Sequence, residues 1–258
     1  MLLQILKRLL LLMLVVLLPT ANVLAGQVLV AVASNFAKPM EEIALEFKKT
    51  TGHSAELSFG ASGKFVAQIE NGAPFQVFLS ADEKKPEKLT ESGFAVAGTQ
   101  FTYALGKLVL WSAKLGYIDA EGKVLSAGNY KHLAIADPKL APYGAAALEV
   151  LNGLGLEGRT KPLLVLGENI SQTQQFICTG NAELGFIALS QVIKDGKIGE
   201  GSGWIVPADN YALIRQDAIL LKTGADNPAA KALLDFLASD KALSIIEKYG
   251  YGLAKGKP

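Results

Sequence analysis

The sequence predicts an α/β protein of two lobes, each a mainly parallel sheet flanked by helices, with a ligand cleft between the lobes. Three observations lead to this prediction. Apolar, β-branched segments alternate with segments of helical spacing, as in a parallel sheet covered on both faces. One unusually long apolar segment interrupts the alternation, after which the pattern restarts. The last apolar segments precede two closing helices, which indicates that the chain returns to the first lobe.

The first lobe is predicted from three repeats of a strand followed by a helix. Each apolar strand ends in small or polar residues, and helical spacing begins directly after them. A longer apolar segment, 101–112, is predicted to be a single strand that leaves this lobe for the next. The three earlier strands are placed at 28–33, 56–59 and 75–79.

The second lobe is predicted from a restart of the same pattern. Its strands are placed at 133–136, 163–166 and 184–188. Segments 204–207 and 218–222 are predicted to be strands that return to the first lobe, followed by helices at 228–236 and 241–249. The expected division is a leader at 1–25, a first lobe of 26–107 plus 209–258, and a second lobe of 108–208. Two crossings between lobes make a hinge around a cleft.

The first 25 residues are predicted to be a secretory signal peptide. Lys7 and Arg8 precede an apolar segment shorter than the about 20 residues of a membrane span, and small residues end at Ala25, the expected cleavage site. A membrane anchor is the alternative. Since no cysteine follows directly to carry a lipid, we expect a freely soluble periplasmic protein. Cys178, the single cysteine, cannot form an internal disulfide and is expected to be buried.

Charge and histidine content disfavour several classes of function. The formal charge of +1 becomes −1 once Lys7 and Arg8 leave with the leader, so no surface for nucleic acid is expected. His53 and His132 are the two histidines, and neither has a second ligand at zinc spacing or a nearby nucleophile motif. His53 is expected in an exposed turn. We therefore expect no enzyme activity, no cofactor and no metal ion ligated by the protein.

Four joins between a strand or loop and a helix form the candidate site. They lie at 33–35, 61–63, 142–144 and 169–171, two in each predicted lobe. They share small residues, hydroxyl groups and backbone N–H groups that have no partner within the helix, which suits a desolvated anion. Serine also caps helices where no ligand binds, and this is the alternative for any single join.

The joins predict what kind of anion would bind. No arginine lies near them, and Lys64 is the only cation close by. Neutral donors still bind a dianion, each hydrogen bond to a charged group contributing about 1.5–3 kcal/mol. Because the joins hold no carboxylate to accept a hydrogen, we expect a fully deprotonated tetrahedral oxyanion in preference to protonated phosphate.

Motifs in the same order along the chain resemble those of the periplasmic molybdate-binding proteins of ABC importers. They are AVASNF, FGASGKF, ADP followed by PYG, GEN, and the closing KYGYGL. The resemblance implies the two-lobed periplasmic binding protein fold and capture of molybdate or tungstate. It also implies delivery by a monomer to an inner-membrane ABC permease with its ATPase. A binding protein for sulfate or another small oxyanion is the first alternative, and an exported hydrolase is the second.

The resemblance also implies which residues bind the ligand. Two serines would contribute hydroxyls, and three other residues would contribute backbone N–H groups. Many members carry a tyrosine where this chain has Ala188. Since several relatives have alanine where this chain has Tyr143, its phenol is predicted to replace the missing donor. The five expected binding residues are Ser34, Asn35, Ser62, Tyr143 and Ile170.

Overall fold

The computed structural model describes residues 25–254, so the predicted signal peptide lies outside the described residues except for Ala25. Both predicted lobes contain strands. In chain order they are β1 (Gln27–Ala33), β2 (Ser54–Gly60), β3 (Val77–Leu79), β4 (Phe101–Gly106), β5 (Leu108–Ser112), β6 (Leu133–Ala136), β7 (Leu164–Gly167), β8 (Leu184–Ala188), β9 (Ile193–Lys194), β10 (Lys197–Ile198), β11 (Ser202–Ile205) and β12 (Ile214–Leu220).

Helices follow most of these strands. The α-helices are α1 (Ala37–Thr51), α2 (Ser62–Glu70), α3 (Lys84–Glu91), α4 (Val124–Ala127), α5 (Pro142–Gly153), α6 (Glu157–Thr160), α7 (Ile170–Cys178), α8 (Pro228–Leu237) and α9 (Asp240–Lys248). Short 3-10 helices lie at Ser34–Phe36, Lys161–Leu163, Leu189–Gln191, Ala208–Asn210 and Lys222–Gly224. Within residues 25–254, no helix has the length and apolar character that crossing a membrane requires.

Two five-stranded sheets form the two lobes, and a short β9–β10 hairpin accompanies them. The first sheet has the order β2-β1-β3-β12-β4, and the second has the order β11-β5-β8-β6-β7. Only β12 runs against its neighbours in the first sheet, and only β5 does so in the second. The predicted α/β architecture with mainly parallel sheets is therefore confirmed.

Both faces of the first sheet are buried at β1, which explains the continuous apolar character of this strand. Val30 and Val32 of β1 pack into one core with residues of α1, α8 and α9. Ala31, between them in sequence, packs into a second core with Phe65 of α2 and Leu89 of α3. Alternate residues of the strand thus face opposite layers of helices.

The segment predicted as one long strand is two strands. β4 belongs to the first sheet and β5 to the second, and they are separated by Lys107. Gly106, directly before the break, leaves room for the opposite lobe, because a Cβ there would lie 2.3 Å from Oη of Tyr143. The chain does cross between lobes here, but it cannot do so as one continuous strand paired on both sides.

The segment predicted at 204–207 was assigned the wrong role. β11 pairs antiparallel with β5 in the second sheet, with Trp204 opposite Leu110. Trp204 packs into the core of the second lobe, which holds this strand there. β12 alone returns to the first sheet, and the chain crosses between Val206 and Leu213.

Two predictions about burial were wrong. Cys178 is exposed, because it ends α7 on the side away from the buried residues Thr173 and Ile177. His53 is buried instead of exposed, with 6% of its surface accessible. Its Nδ1 accepts a hydrogen bond from the N–H of Gly26 at 2.9 Å, which ties the start of β1 to the start of β2.

Candidate functional site

A small cavity lies between the two lobes, where β1 and β2 end and where α2, α5 and α7 begin. The carboxyl ends of parallel strands are the usual ligand position in open α/β sheets. All five residues predicted to bind the ligand line this cavity, and their binding role stays a prediction. The lining residues are Ala33, Ser34, Asn35, Gly60, Ala61, Ser62, Ala81, Ala141, Pro142, Tyr143 and Ile170.

The start of α5 leaves the backbone N–H of Tyr143 without a partner in the helix. Pro142, the first residue of this helix, has no N–H to offer. The N–H groups of Gly144 and Ala145 both bond to the carbonyl of Ala141, at 2.9 and 3.4 Å. Tyr143 therefore holds the first free donor of the helix, and it lines the cavity.

The start of α7 leaves the N–H of Ile170 free in a similar way. Asn169 caps this helix, and its Oδ1 accepts hydrogen bonds from Ser171 at 3.0 Å and Gln172 at 3.1 Å. The side chain of Asn169 therefore does not bond to the N–H of Ile170. This N–H also has no carbonyl acceptor in the helix, because the helix begins here. Asn169 was predicted to belong to the join, but its role as this cap was not predicted.

The two serines differ in how their hydroxyl groups are held. Oγ of Ser62 accepts a hydrogen bond from the N–H of Ala81 at 2.9 Å, so its own hydrogen is available to a ligand. Oγ of Ser34 donates instead to Oδ1 of Asn169 across the cleft, at a long 3.3 Å. Both serines are buried, with 5% or less of their surface accessible.

No formal charge lines the cavity among the described residues. An ion pair joins Lys64 at the start of α2 to Glu168 of the second lobe. Lys64 was predicted as the cation near the site, but its pairing with Glu168 was not predicted. Both side chains are more than 40% exposed, so the pair lies at the rim of the cleft. Within residues 25–254, no group of three His, Cys, Asp or Glu side chains could hold a metal ion.

A buried group of polar side chains lies behind the cavity. Gln216 is at its centre, and its Nε2 donates a hydrogen bond to Oη of Tyr143 at 3.0 Å. The phenol of Tyr143 is therefore held by β12 of the opposite lobe. Burial raises the pKa of Tyr143 well above 10 and raises the pKa of Tyr251 to about 12, so both keep their protons at neutral pH. The members are Asn35, Tyr103, Tyr143, Ser190, Gln216 and Tyr251.

Hydrogen bonds join the lobes on several sides of the cavity. The N–H of Gly63 donates to the carbonyl of Leu140 at 2.9 Å. Oγ of Ser190 donates to the carbonyl of Asn35 at 2.8 Å, and Oγ of Ser171 contacts the carbonyl of Ser34 at 3.3 Å. These contacts would separate if the lobes moved apart, so the described structure is a closed form.

Comparison with known proteins places the chain in a family. A family model described as bacterial extracellular solute-binding protein matches residues 28–252. The chain belongs to this family. Within it, the molybdate-binding protein ModA of Azotobacter vinelandii is 60% identical over 229 residues, covering 89% of this chain and 91% of the relative. ModA of Rhodobacter capsulatus is 56% identical over 227 residues, covering 88% of each chain.

A solved structure has the same fold as this chain. The Azotobacter vinelandii periplasmic molybdate-binding protein superposes with a TM-score of 0.86 at 44% sequence identity, covering 88% of this chain and 100% of that one. The resemblance inferred from the sequence motifs and the two-lobed fold are both confirmed.

Proposed function

We propose that this solute-binding protein captures molybdate, or tungstate, between its lobes and delivers it to an ABC permease with its ATPase. The observation that carries the proposal is the cavity itself, to which both lobes bring free N–H and O–H donors and no formal charge. Relatives with identities of 60% and 56% that are named as molybdate-binding proteins support this choice of ligand.

The donors would act on the anion in two groups. Hydroxyls of Ser34 and Ser62, with the N–H of Asn35, approach from the first lobe. The N–H groups of Tyr143 and Ile170 approach from the second. Hydrogen bonds to a charged group contribute about 1.5–3 kcal/mol each, and these donors need little rearrangement when the anion arrives. A protonated anion would bring a hydrogen with no carboxylate in the cavity to accept it.

Capture would close the cleft, and the closed form would be the one the permease recognises. The anion leaves unchanged, so no bond is broken and no cofactor takes part. We infer that the mature chain begins after Ala25 and works in the periplasm as a monomer. Its lobes would be 26–107 with 209–258, and 108–208, with hinges where the chain crosses between the sheets.

Thermal unfolding with different anions tests the proposal. Ligand at a hundred times its dissociation constant should add about 2.7 kcal/mol to the free energy of unfolding. Molybdate and tungstate should each raise the unfolding temperature, whereas sulfate and phosphate at the same concentration should not. An equal or larger shift with sulfate would favour the alternative, a binding protein for a smaller oxyanion.

A further inference from the structure

Gln216 is completely buried and joins three groups behind the cavity. Its Oε1 accepts hydrogen bonds from Nδ2 of Asn35 at 2.8 Å and from Oη of Tyr103 at 3.1 Å. Its Nε2 donates to Oη of Tyr143 at 3.0 Å. Two of these partners, Asn35 and Tyr143, line the cavity, but Gln216 does not.

The direction of these bonds determines what Tyr143 can do. A carboxamide nitrogen is a donor only, so Oη of Tyr143 must be the acceptor in its bond to Gln216. The phenol hydrogen is then not used by Gln216 and remains available to another acceptor, which is either Oη of the neighbouring Tyr251 or a group in the cavity. If Gln216 offered an oxygen instead, Tyr143 would donate to it and would present no hydrogen to the cavity.

Asn35 fixes the orientation of the Gln216 carboxamide. Nδ2 of Asn35 donates to Gln216 and also to Oη of Tyr251, at 2.8 and 2.9 Å. Tyr251 in turn contacts the carbonyl of Asn35 at 2.8 Å. With that donor facing it, the oxygen of the carboxamide points to Asn35 and the nitrogen to Tyr143.

The bond between Gln216 and Tyr143 also depends on closure. Gln216 lies on β12 of the first lobe, whereas Tyr143 lies on α5 of the second. Gly106 makes the approach possible, since a Cβ there would lie 2.3 Å from Oη of Tyr143 and 2.7 Å from Nε2 of Gln216. The orientation of the phenol is therefore set only when the lobes meet around the ligand.

We propose that Gln216 is a positioning residue for the anion, which it does not touch. By donating to Tyr143 on closure, it leaves the phenol hydrogen free for an acceptor in the cavity. This inference rests on the proposed function and on the side-chain role already predicted for Tyr143.

A double-mutant cycle tests the inference by calorimetry with molybdate, using the parent protein, Gln216→Met, Tyr143→Phe and the double variant. We expect each single variant to lose affinity about tenfold, a loss of the size of one hydrogen bond to a charged group. In the Tyr143→Phe background, Gln216→Met should cost at least fivefold less than in the parent, because the group it acts through is gone. Gln216→Ser serves the same cycle if the methionine variant does not fold.

A matched control separates positioning from simple support of the fold. Gln76 is also a hydrogen-bonded glutamine of the first lobe, and its Oε1 accepts from Leu29 and Asn227. Gln76→Met should lower the unfolding temperature and leave molybdate affinity unchanged. A tyrosine difference spectrum on adding molybdate should appear in the parent and should be weaker in Gln216→Met and in Tyr143→Phe.

Two outcomes overturn the inference. One is additive losses in the cycle, which would mean that Gln216 acts independently of the phenol. The other is parent-like affinity in either single variant. A parent protein that does not bind molybdate would instead refute the proposed function, so the two failures are distinguishable.

Discussion

The direction of each hydroxyl hydrogen decides what a single residue contributes to this site. Ser62 accepts from the N–H of Ala81, which leaves its hydrogen for the anion. Ser34 has one long bond to Asn169, which it can exchange for a bond to the anion at little cost to folding. Neither serine has the arrangement of an ordinary helix cap, because neither side chain accepts from the helix that it begins.

Ser34→Ala and Ser62→Ala should therefore weaken binding much more than folding. We expect each to lower molybdate affinity about 10- to 100-fold, which corresponds to one hydrogen bond to a charged group. The free energy of unfolding should fall by about 1 kcal/mol or less for Ser34→Ala, because only a long bond is lost. Calorimetry with molybdate and chemical denaturation measure the two quantities.

Ser112→Ala is the control for these variants. Ser112 is completely buried in the second sheet, where Oγ donates to the carbonyl of Glu183 at 2.6 Å, away from the cavity. This substitution should lower stability and leave affinity unchanged. A Ser34→Ala protein that keeps full affinity but loses stability would show that Ser34 serves the fold and not the ligand.

The residues at the helix starts could be predicted from the sequence, but the polar residues behind the cavity could not. Proline at the first position of α5 and asparagine before α7 are local signals of a helix start, so the joins at 142–144 and 169–171 could be placed from the chain alone. Gln216 and Tyr251 reach Asn35 from more than 180 positions away. No local pattern marks such partners, since their place follows from strand order and closure.

Secondary-structure elements act in this protein mainly through their ends. The strands β1 and β2 end at the cavity, and α2, α5 and α7 begin there, so the free N–H groups of both lobes converge. Contacts between element ends also hold the lobes together. The bond from Gly63 to Leu140 and the ion pair of Lys64 with Glu168 both join the start of α2 to the second lobe.

The ion pair at the rim should make a small contribution to closure. Lys64→Met and Glu168→Gln should each lower molybdate affinity by less than about fivefold, because pairs this exposed contribute roughly 0–1 kcal/mol. The difference from the parent should shrink as salt is raised from 0.05 to about 0.5 M, because salt screens exposed charges. A loss that does not depend on salt would contradict this role.

Gly144 should be essential for docking α5 on the second sheet. A Cβ at this position would lie 2.0 Å from the carbonyl oxygen of Ala136 at the end of β6. We expect Gly144→Ala to lower the free energy of unfolding by about 1–3 kcal/mol or more, the usual cost of overpacking.

Gly153, at the other end of the same helix, is the matched control. A Cβ there would meet no atom within 4 Å, and its backbone does not require glycine. Gly153→Ala should leave stability unchanged or raise it by up to about 1 kcal/mol. Denaturant unfolding compares the two variants, and equal losses would contradict the close approach at Gly144.

Helices and strands were predicted well where the sequence pattern is local, and poorly where the chain crosses from one lobe to the other. β8 was predicted at its observed limits, and the closing helices were predicted within a residue or so. The break at Lys107 was missed because both flanking strands are buried and apolar, and their contacts with different sheets leave no mark in the sequence. β11 was given to the wrong lobe for the same reason.

The whole molecule is a closed two-lobed protein whose lobes meet on buried neutral groups. Tyr143 and Tyr251 form hydrogen bonds across this contact region, and Tyr103 lies behind it in the first lobe. Burial raises the pKa of each of the three. Their hydroxyls can donate hydrogen bonds only while they are protonated. The closed form should therefore be intact at neutral pH and should fail in strong alkali.

Stability should fall steeply above pH 10. The unfolded chain ionises its tyrosines near pH 10, whereas the pKa of Tyr251 in the native protein is about 12. Between these values the unfolded state binds fewer protons, so the free energy of unfolding decreases as pH rises. Each such tyrosine contributes a slope of about 1.4 kcal/mol per pH unit.

Tyr251→Phe should reduce the slope of the free energy of unfolding against pH by the contribution of one tyrosine. Denaturant unfolding between about pH 8 and 12 measures the slope. The contribution of these tyrosines to the free energy of unfolding should be nearly constant up to about pH 9. A slope that is the same in the variant and the parent would mean that Tyr251 ionises alike in the folded and unfolded chains.

The most direct test of the central claim is a crystal structure of the protein with molybdate, with the metal located by its anomalous scattering. The account predicts one oxyanion in the cavity between the lobes. Its oxygens should lie within hydrogen-bonding distance of the hydroxyls of Ser34 and Ser62 and the N–H groups of Asn35, Tyr143 and Ile170. Molybdenum bound elsewhere, or held by charged side chains at the rim with the cavity empty, would contradict it.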